Sequence, residues 1–290
     1  IAARDPQGFR PLCLGKLDGA YIVASESCVM DLLEAEFIRE IEPGELILIN
    51  QFGMKSFHPF QKTSPKQCVF EHIYFSRPDS YLFGHSVYSV RKLMGKALAR
   101  EKPVEADVVV PVPDSGVISA MGYSEESKIP FQMGLIRNHY VGRTFIEPQS
   151  QIRNFGVKIK LNAVKPVIEG KRVIIIDDSI VRGTTSKKIV RMLREVGAKE
   201  VHVRISSPPT THSCFYGIDT PTKGELIASN LDIDQTCEYL GADSLHYITL
   251  EKMLEIFGEQ KDDFCAACFD GRYPVDVTGS DGSNNQLDLF

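Results

Sequence analysis

No tryptophan occurs among the 290 residues, no apolar run reaches the length that crosses a bilayer, and no signal-peptide pattern opens the chain. Membrane-embedded and exported classes are therefore not expected. Basic excess is missing too: 33 Lys and Arg face 38 Asp and Glu, a formal charge of −5 with a pI near 5.9. Nonspecific nucleic-acid binding, which needs a basic patch or stripe, is disfavoured. The seven cysteines lack the pairing of a secreted disulfide framework, and no Gly-x-x-x-x-Gly-Lys-Ser/Thr loop for nucleoside triphosphates occurs. There is no internal repeat. What remains is a cytoplasmic α/β protein large enough for one full domain and part of another.

The most informative run present is Val173-Ile174-Ile175-Ile176-Asp177-Asp178-Ser179-Ile180-Val181-Arg182-Gly183-Thr184-Thr185-Ser186. Its β-branched start reads as a strand covered on both faces, and the amphipathic stretch 187–196 reads as the helix that follows. Between them Gly183 permits positive φ. The hydroxyls of Ser179, Thr184, Thr185 and Ser186 alternate with backbone N–H groups able to converge on a phosphate at the helix start. Asp177 and Asp178 would repel that phosphate. At a strand's C-terminal end they suit vicinal ribose hydroxyls, or a metal reached through water. The competing interpretation is an ordinary polar turn with a helix-capping acid pair.

Residues 107–112, 131–136, 172–176 and 200–206 predict strands alternating with helices, the pattern of an open parallel sheet with ligands at strand C-terminal ends. A helix is expected over 87–100, where Val87, Val90, Leu93, Met94, Ala97 and Leu98 repeat at helical spacing. Residues 224–229 and 250–257 add later elements. Strand 107–112 runs into Pro113-Asp114-Ser115-Gly116, a second polar loop beside the first if the sheet is parallel. The stretch 135–146 carries Arg137 and Arg143 about a glycine hinge and reads as a lid or as a plain solvated loop. Upstream, 20–25 and 44–50 are strand-like, and 278–290, rich in Ser, Asn and Asp, reads as a disordered tail.

Taken whole, the hydrophobic strand, two acids and Gly-Thr-Thr resemble the phosphoribosyl diphosphate (PRPP) signature of type I phosphoribosyltransferases. Three further segments extend the resemblance: Ala3-Arg4-Asp5-Pro6-Gln7-Gly8-Phe9-Arg10-Pro11-Leu12, Phe70-Glu71-His72-Ile73-Tyr74-Phe75-Ser76-Arg77-Pro78-Asp79-Ser80 and Ser206-Ser207-Pro208-Pro209. With them the chain is similar, almost from end to end, to the amidophosphoribosyltransferase family, also called glutamine PRPP amidotransferases. The resemblance implies an α/β fold with a type I phosphoribosyltransferase-like open parallel sheet and helices on both faces, at 63–257. The C-terminal portion of an N-terminal-nucleophile glutaminase domain would precede it at 1–62, and a Cys-containing segment would follow at 258–277.

The implied reaction joins glutamine-derived ammonia to PRPP, giving 5-phosphoribosylamine and pyrophosphate at the first committed step of purine synthesis. Ser179, Gly183, Thr184, Thr185 and Ser186 would cradle the 5′-phosphate, and Asp177 and Asp178 would hold the ribose. Ser115 with Asp177 and Asp178 would mark a Mg²⁺ site. Arg137 and Arg143 would stabilise the pyrophosphate, and Asp5 would contact the amino group of glutamine. Purine nucleotides are implied as feedback inhibitors and a homo-oligomer as the assembly. The family's nucleophile is an N-terminal cysteine exposed by processing, whereas this chain begins with Ile1. The expectation is an N-terminally truncated glutaminase and transfer from free ammonia only.

Cys265-Ala266-Ala267-Cys268 puts two thiolates within reach of one metal centre, a spacing shared by zinc, iron–sulfur and redox sites. Its place near the chain's end disfavours a thioredoxin-type motif. In the iron–sulfur subgroup of the family four cysteines hold a 4Fe-4S cluster, and the resemblance carries that role to Cys68, Cys214, Cys265 and Cys268. Zinc stays open on coordination chemistry. Cys13, Cys28 and Cys237 match no ligand position and are expected in the core.

Overall fold

Valine and isoleucine crowd the central strands because both faces of their sheet are covered. The computed structural model describes residues 1–138 and 161–276; Arg143 and the expected tail lie outside them. The elements around the site are α1 (Val87–Glu101), β1 (Val108–Pro111), α2 (Val117–Ser127), β2 (Arg172–Asp177), α3 (Thr184–Glu195), β3 (Glu200–Ile205), α4 (Ile233–Leu240), β4 (Ser244–Tyr247) and α5 (Leu250–Glu255). The four strands pair in the order β1-β2-β3-β4, all parallel. Val109, Ile174 and Ile176 enter a core shared with Val90, Met94 and Leu98 of α1, Tyr123 of α2 and Met253 of α5. Val108, Val110, Val173 and Ile175 join Ile189 and Leu193 of α3 and Leu240 of α4 on the opposite face. Each such side chain contributes about 1.5–3 kcal/mol when fully buried.

On its free side β1 makes a single parallel bridge, Val109 to Phe131. The chain thus visits one side of β1 at residue 131 and returns on the other at β2, so strand order reverses there. Ligands of open α/β sheets bind in the crevice at such a switch point. The strand expected over 131–136 is split. Only Val109 N–H to Pro130 O (2.8 Å) and Gln132 N–H to Val109 O (3.0 Å) join it to β1, after which Leu135–Arg137 pairs antiparallel with Leu161–Ala163.

Leu93, expected on the buried face of α1, is 46% exposed. Arg91 takes the inward place instead, because its guanidinium finds two buried carbonyls: Nε donates to His72 O (2.8 Å) and Nη2 to Ser76 O (2.7 Å). Residues 1–57 form two three-stranded antiparallel sheets around a small core of Ala2, Leu14, Ile41 and Ile47. Glu26 and Arg10 tie this segment to the rest. Arg77 N–H and Ser80 O–H each donate to Glu26 Oε2 at 2.7 Å, and Arg10 meets buried Glu71 at 3.0 Å.

Candidate active site and cysteine pocket

Strands β1 and β2 end side by side. Val112 N–H donates to Ile176 O at 2.8 Å, and a Cβ on Gly116 would stand 2.3 Å from that same oxygen. Glycine is therefore required for the Ser115 turn to lie against the end of β2. There Asp177 Oδ1 accepts from Asp178 N–H at 2.9 Å, and Asp178 Oδ1 accepts from Ser179 O–H at 2.5 Å. Burial, followed by the charge of Asp178, pushes the Asp177 carboxyl well above the usual carboxylate range. An acid pair so placed favours hydrogen-bond donors or a cation above it. Ser206 fixes the strand end by donating its N–H (3.0 Å) and O–H (3.3 Å) to Asp177 O.

Gly183 takes φ +72° as the residue before α3, with Thr184 and Thr185 exposed and Ser186 buried. The first N–H groups of a helix have no carbonyl partner within it, and the dipole there favours an anion. The loop is backed from behind. Ile227 N–H donates to Val181 O at 2.9 Å, a Cβ on Gly183 would meet Ile227 Cδ1 at 2.6 Å, and Arg182 pairs with Glu225 at 3.0 Å. The sequence reading missed this support, although Thr222 and Glu225 form a capping box whose Thr-x-x-Glu spacing is a recognisable signal. Arg137 lies across the crevice, donating through Nη1 to Asp114 Oδ2 at 2.5 Å beside the Ser115 turn.

For Mg²⁺ the donor set is suitable: it takes oxygen ligands, keeps several waters and commonly uses one or two carboxylates together with substrate phosphates. Among the described residues no three His, Cys, Asp or Glu side chains converge to hold a metal ion. Substrate oxygens would have to complete the magnesium shell.

The cysteines of the expected cluster set border a second place, although among the described residues no three of them stand in a geometry that could hold a metal ion. Cys68, Cys214, Cys265 and Cys268 line one pocket, together with Phe9, Tyr216, Ile218, Ala267 and Tyr273. Parallel pairing of Phe264–Cys265 with Gln67–Cys68 sets Cys265 opposite Cys68. Thr211 and His212 N–H groups both donate to Cys268 O at 3.0 Å, which draws the Cys214 segment in. Burial pushes the Cys68 thiol up to about 12 and raises Cys265; Cys268 rises well above its usual value through burial and then the charges of Cys68, Cys265 and Cys214. Three thiols that resist ionisation side by side, Cys68, Cys265 and Cys268, favour a cation if they are to become thiolates. Cys13 is buried in an N-terminal strand and Cys28 at the start of the helix Cys28–Leu33, and Cys237 lies apart, donating to Ala242 O at 3.3 Å. Asp5 spends its carboxylate on its own turn, accepting from Gln7 N–H (2.9 Å) and Phe9 N–H (3.0 Å).

A parallel sheet clad by helices, with an acidic strand end and a glycine-hinged helix start at its switch point, defines the type I phosphoribosyltransferase fold, and residues 85–206 match the phosphoribosyl transferase domain family. Beyond that domain, the chain is similar to amidophosphoribosyltransferases at high identity over most of its length. It is 56% identical over 279 residues (96% of the chain) to amidophosphoribosyltransferase 1, chloroplastic, of Arabidopsis thaliana. It is 53% identical over 281 residues (96% of the chain) to the amidophosphoribosyltransferase of Bacillus subtilis (strain 168). The solved structure of glutamine PRPP amidotransferase from B. subtilis complexed with ADP and GMP matches 95% of the chain with a TM-score of 0.88 and 51% identity. The chain spans 49% and 59% of the two curated relatives and 62% of the solved chain. Among the described residues no helix is long and apolar enough to cross a membrane.

Proposed function

We propose that the chain transfers ammonia to C1 of PRPP with inversion, releasing pyrophosphate and forming 5-phosphoribosylamine, as the transferase half of an amidophosphoribosyltransferase. The observation that carries this reading is the junction of β1 and β2, where Val112 N–H to Ile176 O (2.8 Å) sets the Ser115 turn beside the Asp177 loop. The 5′-phosphate rests on the N–H and hydroxyl groups of Ser179, Gly183, Thr184, Thr185 and Ser186, where the helix dipole contributes about 0.3–1 kcal/mol. Asp177 and Asp178 accept hydrogen bonds from the ribose hydroxyls and favour the positive charge that develops on the ring as the C1–O bond breaks. Ser115, Asp177 and Asp178 would hold Mg²⁺, which when bound neutralises the diphosphate leaving group. Arg137 and Arg143 are assigned to stabilise the negative charge that develops on the pyrophosphate. Ammonia attacks from the opposite face of the ribose.

Asp5 is assigned to the amino group of glutamine in the glutaminase half. Purine nucleotides share the ribose phosphate and can compete for the cradle, in keeping with the similar enzyme complexed with ADP and GMP. A homo-oligomer in a reducing, cytoplasmic setting completes the proposal, the latter suited to seven free thiols. For the cysteine pocket the occupant we propose is the 4Fe-4S cluster that the resemblance implies, with zinc the alternative on coordination chemistry. A single zinc ion needs donors about 2.3 Å from its centre, whereas a cluster spreads its thiolates around a larger body. When bound, the cluster clips the Cys265-to-Cys268 segment to Cys68 and Cys214.

With ammonium chloride, PRPP and Mg²⁺ the protein is expected to release pyrophosphate. The double variant Asp177→Asn, Asp178→Asn should lose roughly 10²-fold or more of that rate, the scale of removing a charge-stabilising group. Unchanged release in the double variant refutes the assigned site.

A further inference from the structure

One wall of the cysteine pocket belongs to the N-terminal segment. Phe9 is 8% exposed, and its ring stacks on Tyr216 with centroids 4.1 Å apart and planes 11° from parallel. Tyr216 meets Tyr273 edge-on at 6.1 Å. Both tyrosines are pinned by their hydroxyls, which donate to Val275 O (2.8 Å) and Ser213 O (2.7 Å) respectively. Phe9 is pinned through its backbone: its N–H donates to Asp5 Oδ2 (3.0 Å) and its carbonyl accepts from Cys68 N–H (2.9 Å). Gln7 O accepts from Lys66 N–H at 2.7 Å, and Arg4 donates to Gly8 O and Arg10 O, each at 3.0 Å. The turn 5–9 is thereby braced at the Asp5 carboxylate and at the backbone of Gln7, Gly8 and Phe9. Its apolar tip covers the thiols.

We propose that the turn 5–9 is a latch: docking of the N-terminal segment closes the pocket around what the four cysteines hold, so retention of that occupant and its exposure to oxidant depend on the docking. Removing the ring opens the sulfurs to water and small oxidants, since the apolar shell of a metal site sets solvent access and thiolate oxidation follows exposure. The coupling is reciprocal. An occupied pocket gathers Cys214 and Cys268 and steadies Tyr216, the platform for Phe9, so loading must strengthen docking by the same factor.

The test uses the full chain under anaerobic, metal-free conditions, with timed iodoacetamide labelling of each cysteine read by peptide mass mapping. Phe9→Ala should raise labelling of Cys68, Cys214, Cys265 and Cys268 roughly three- to tenfold, the range expected for losing one aromatic pair. Cys13 and Cys28 should stay protected, and Phe60→Ala, at a residue 48% exposed in the same segment, should change nothing. Where Phe9→Ala labels all cysteines alike, the milder Phe9→Leu decides by the same pattern. Unchanged labelling of the pocket thiols overturns the latch. A second arm rests on the cluster reading: protein reconstituted with iron and sulfide should bleach in air several-fold faster in the Phe9 variants, and equal bleaching also overturns the latch. Failure to take up iron, with the labelling pattern intact, removes the cluster and leaves the latch standing.

Discussion

At the scale of single residues, the acid response of this chain is set by groups that burial and partners pull in different directions. Glu45 is 1% exposed, yet its carboxyl falls to about 2 because Arg39 grips both oxygens at 2.8 and 2.6 Å. Ser56 O–H (2.6 Å) and Glu42 N–H (2.8 Å) add to that. A folded value depressed below the unfolded one gives stability that is present above the unfolded value and lost as pH falls through the folded one. Glu45 should therefore supply on the order of 3 kcal/mol above its ordinary 4.5, lost as pH drops toward 2. His72 has the same sign. Burial, with His85 and Arg91 nearby, pushes it from 6.5 down to about 3, and among the described residues both of its ring nitrogens lack a hydrogen-bond partner. Urea unfolding followed against pH should show stability declining in two windows, 6.5 to 3 and 4.5 to 2. Glu45→Gln should flatten the lower and His72→Phe the upper. Identical pH slopes in wild type and variants would contradict both assignments.

At the scale of elements, the crossing of α1 and α2 shows what a one-dimensional pattern hides. A Cβ on Gly95 would stand 1.9 Å from Ser119 O, and one on Gly122 2.0 Å from Lys92 O. Both obstacles are backbone and cannot swing away. Alanine gains about 1 kcal/mol of helix propensity over glycine, but overpacking costs typically 1–3 kcal/mol or more where nothing can yield. Gly95→Ala and Gly122→Ala should each lower the melting temperature; a rise would show that the two helices can part freely. The sequence betrayed none of this, because a glycine inside a helical period does not announce which helix it touches. By contrast β2 and its loop were legible. Four apolar residues covered on both faces admit few alternatives, and an acid pair followed by a glycine hinge marks the turn that ends such a strand. Strand β4, Ser244–Tyr247, escaped notice because its polar–apolar alternation runs for only four residues. Leu93 was misassigned because hydropathy cannot foresee that Arg91 would find buried carbonyls. The pairing of Arg137 with Asp114 and the stacking of Phe9 on Tyr216 join residues far apart in sequence, and such contacts exist only after the chain has folded.

At the scale of the whole molecule, three distant stretches of chain meet at the cysteine pocket; those around Cys68 and Cys265 enter the main core through Val69, Phe70, Phe264 and Phe269, whereas the N-terminal sheets keep a separate one. The N-terminal sheets share only a small core, and the strands at 67–68 and 264–265 are two residues each. An occupant of the pocket would add to their mutual order by mass action: a ligand that binds the folded state alone stabilises it by RT ln(1 + [L]/Kd), about 4 kcal/mol at a thousandfold excess over Kd. Purified anaerobically, the protein is expected to be brown and to contain iron and sulfide. Removal of the metal should raise amide hydrogen exchange together at residues 5–9, 66–68 and 264–268, while β2 and β3 keep their protection. The grouping is the discriminating feature, since loss of a merely local ligand would loosen the Cys265–Cys268 turn alone. A colourless preparation with stoichiometric zinc would exclude the cluster, and unchanged exchange at 5–9 after metal removal would show that the N-terminal segment holds its place without the pocket.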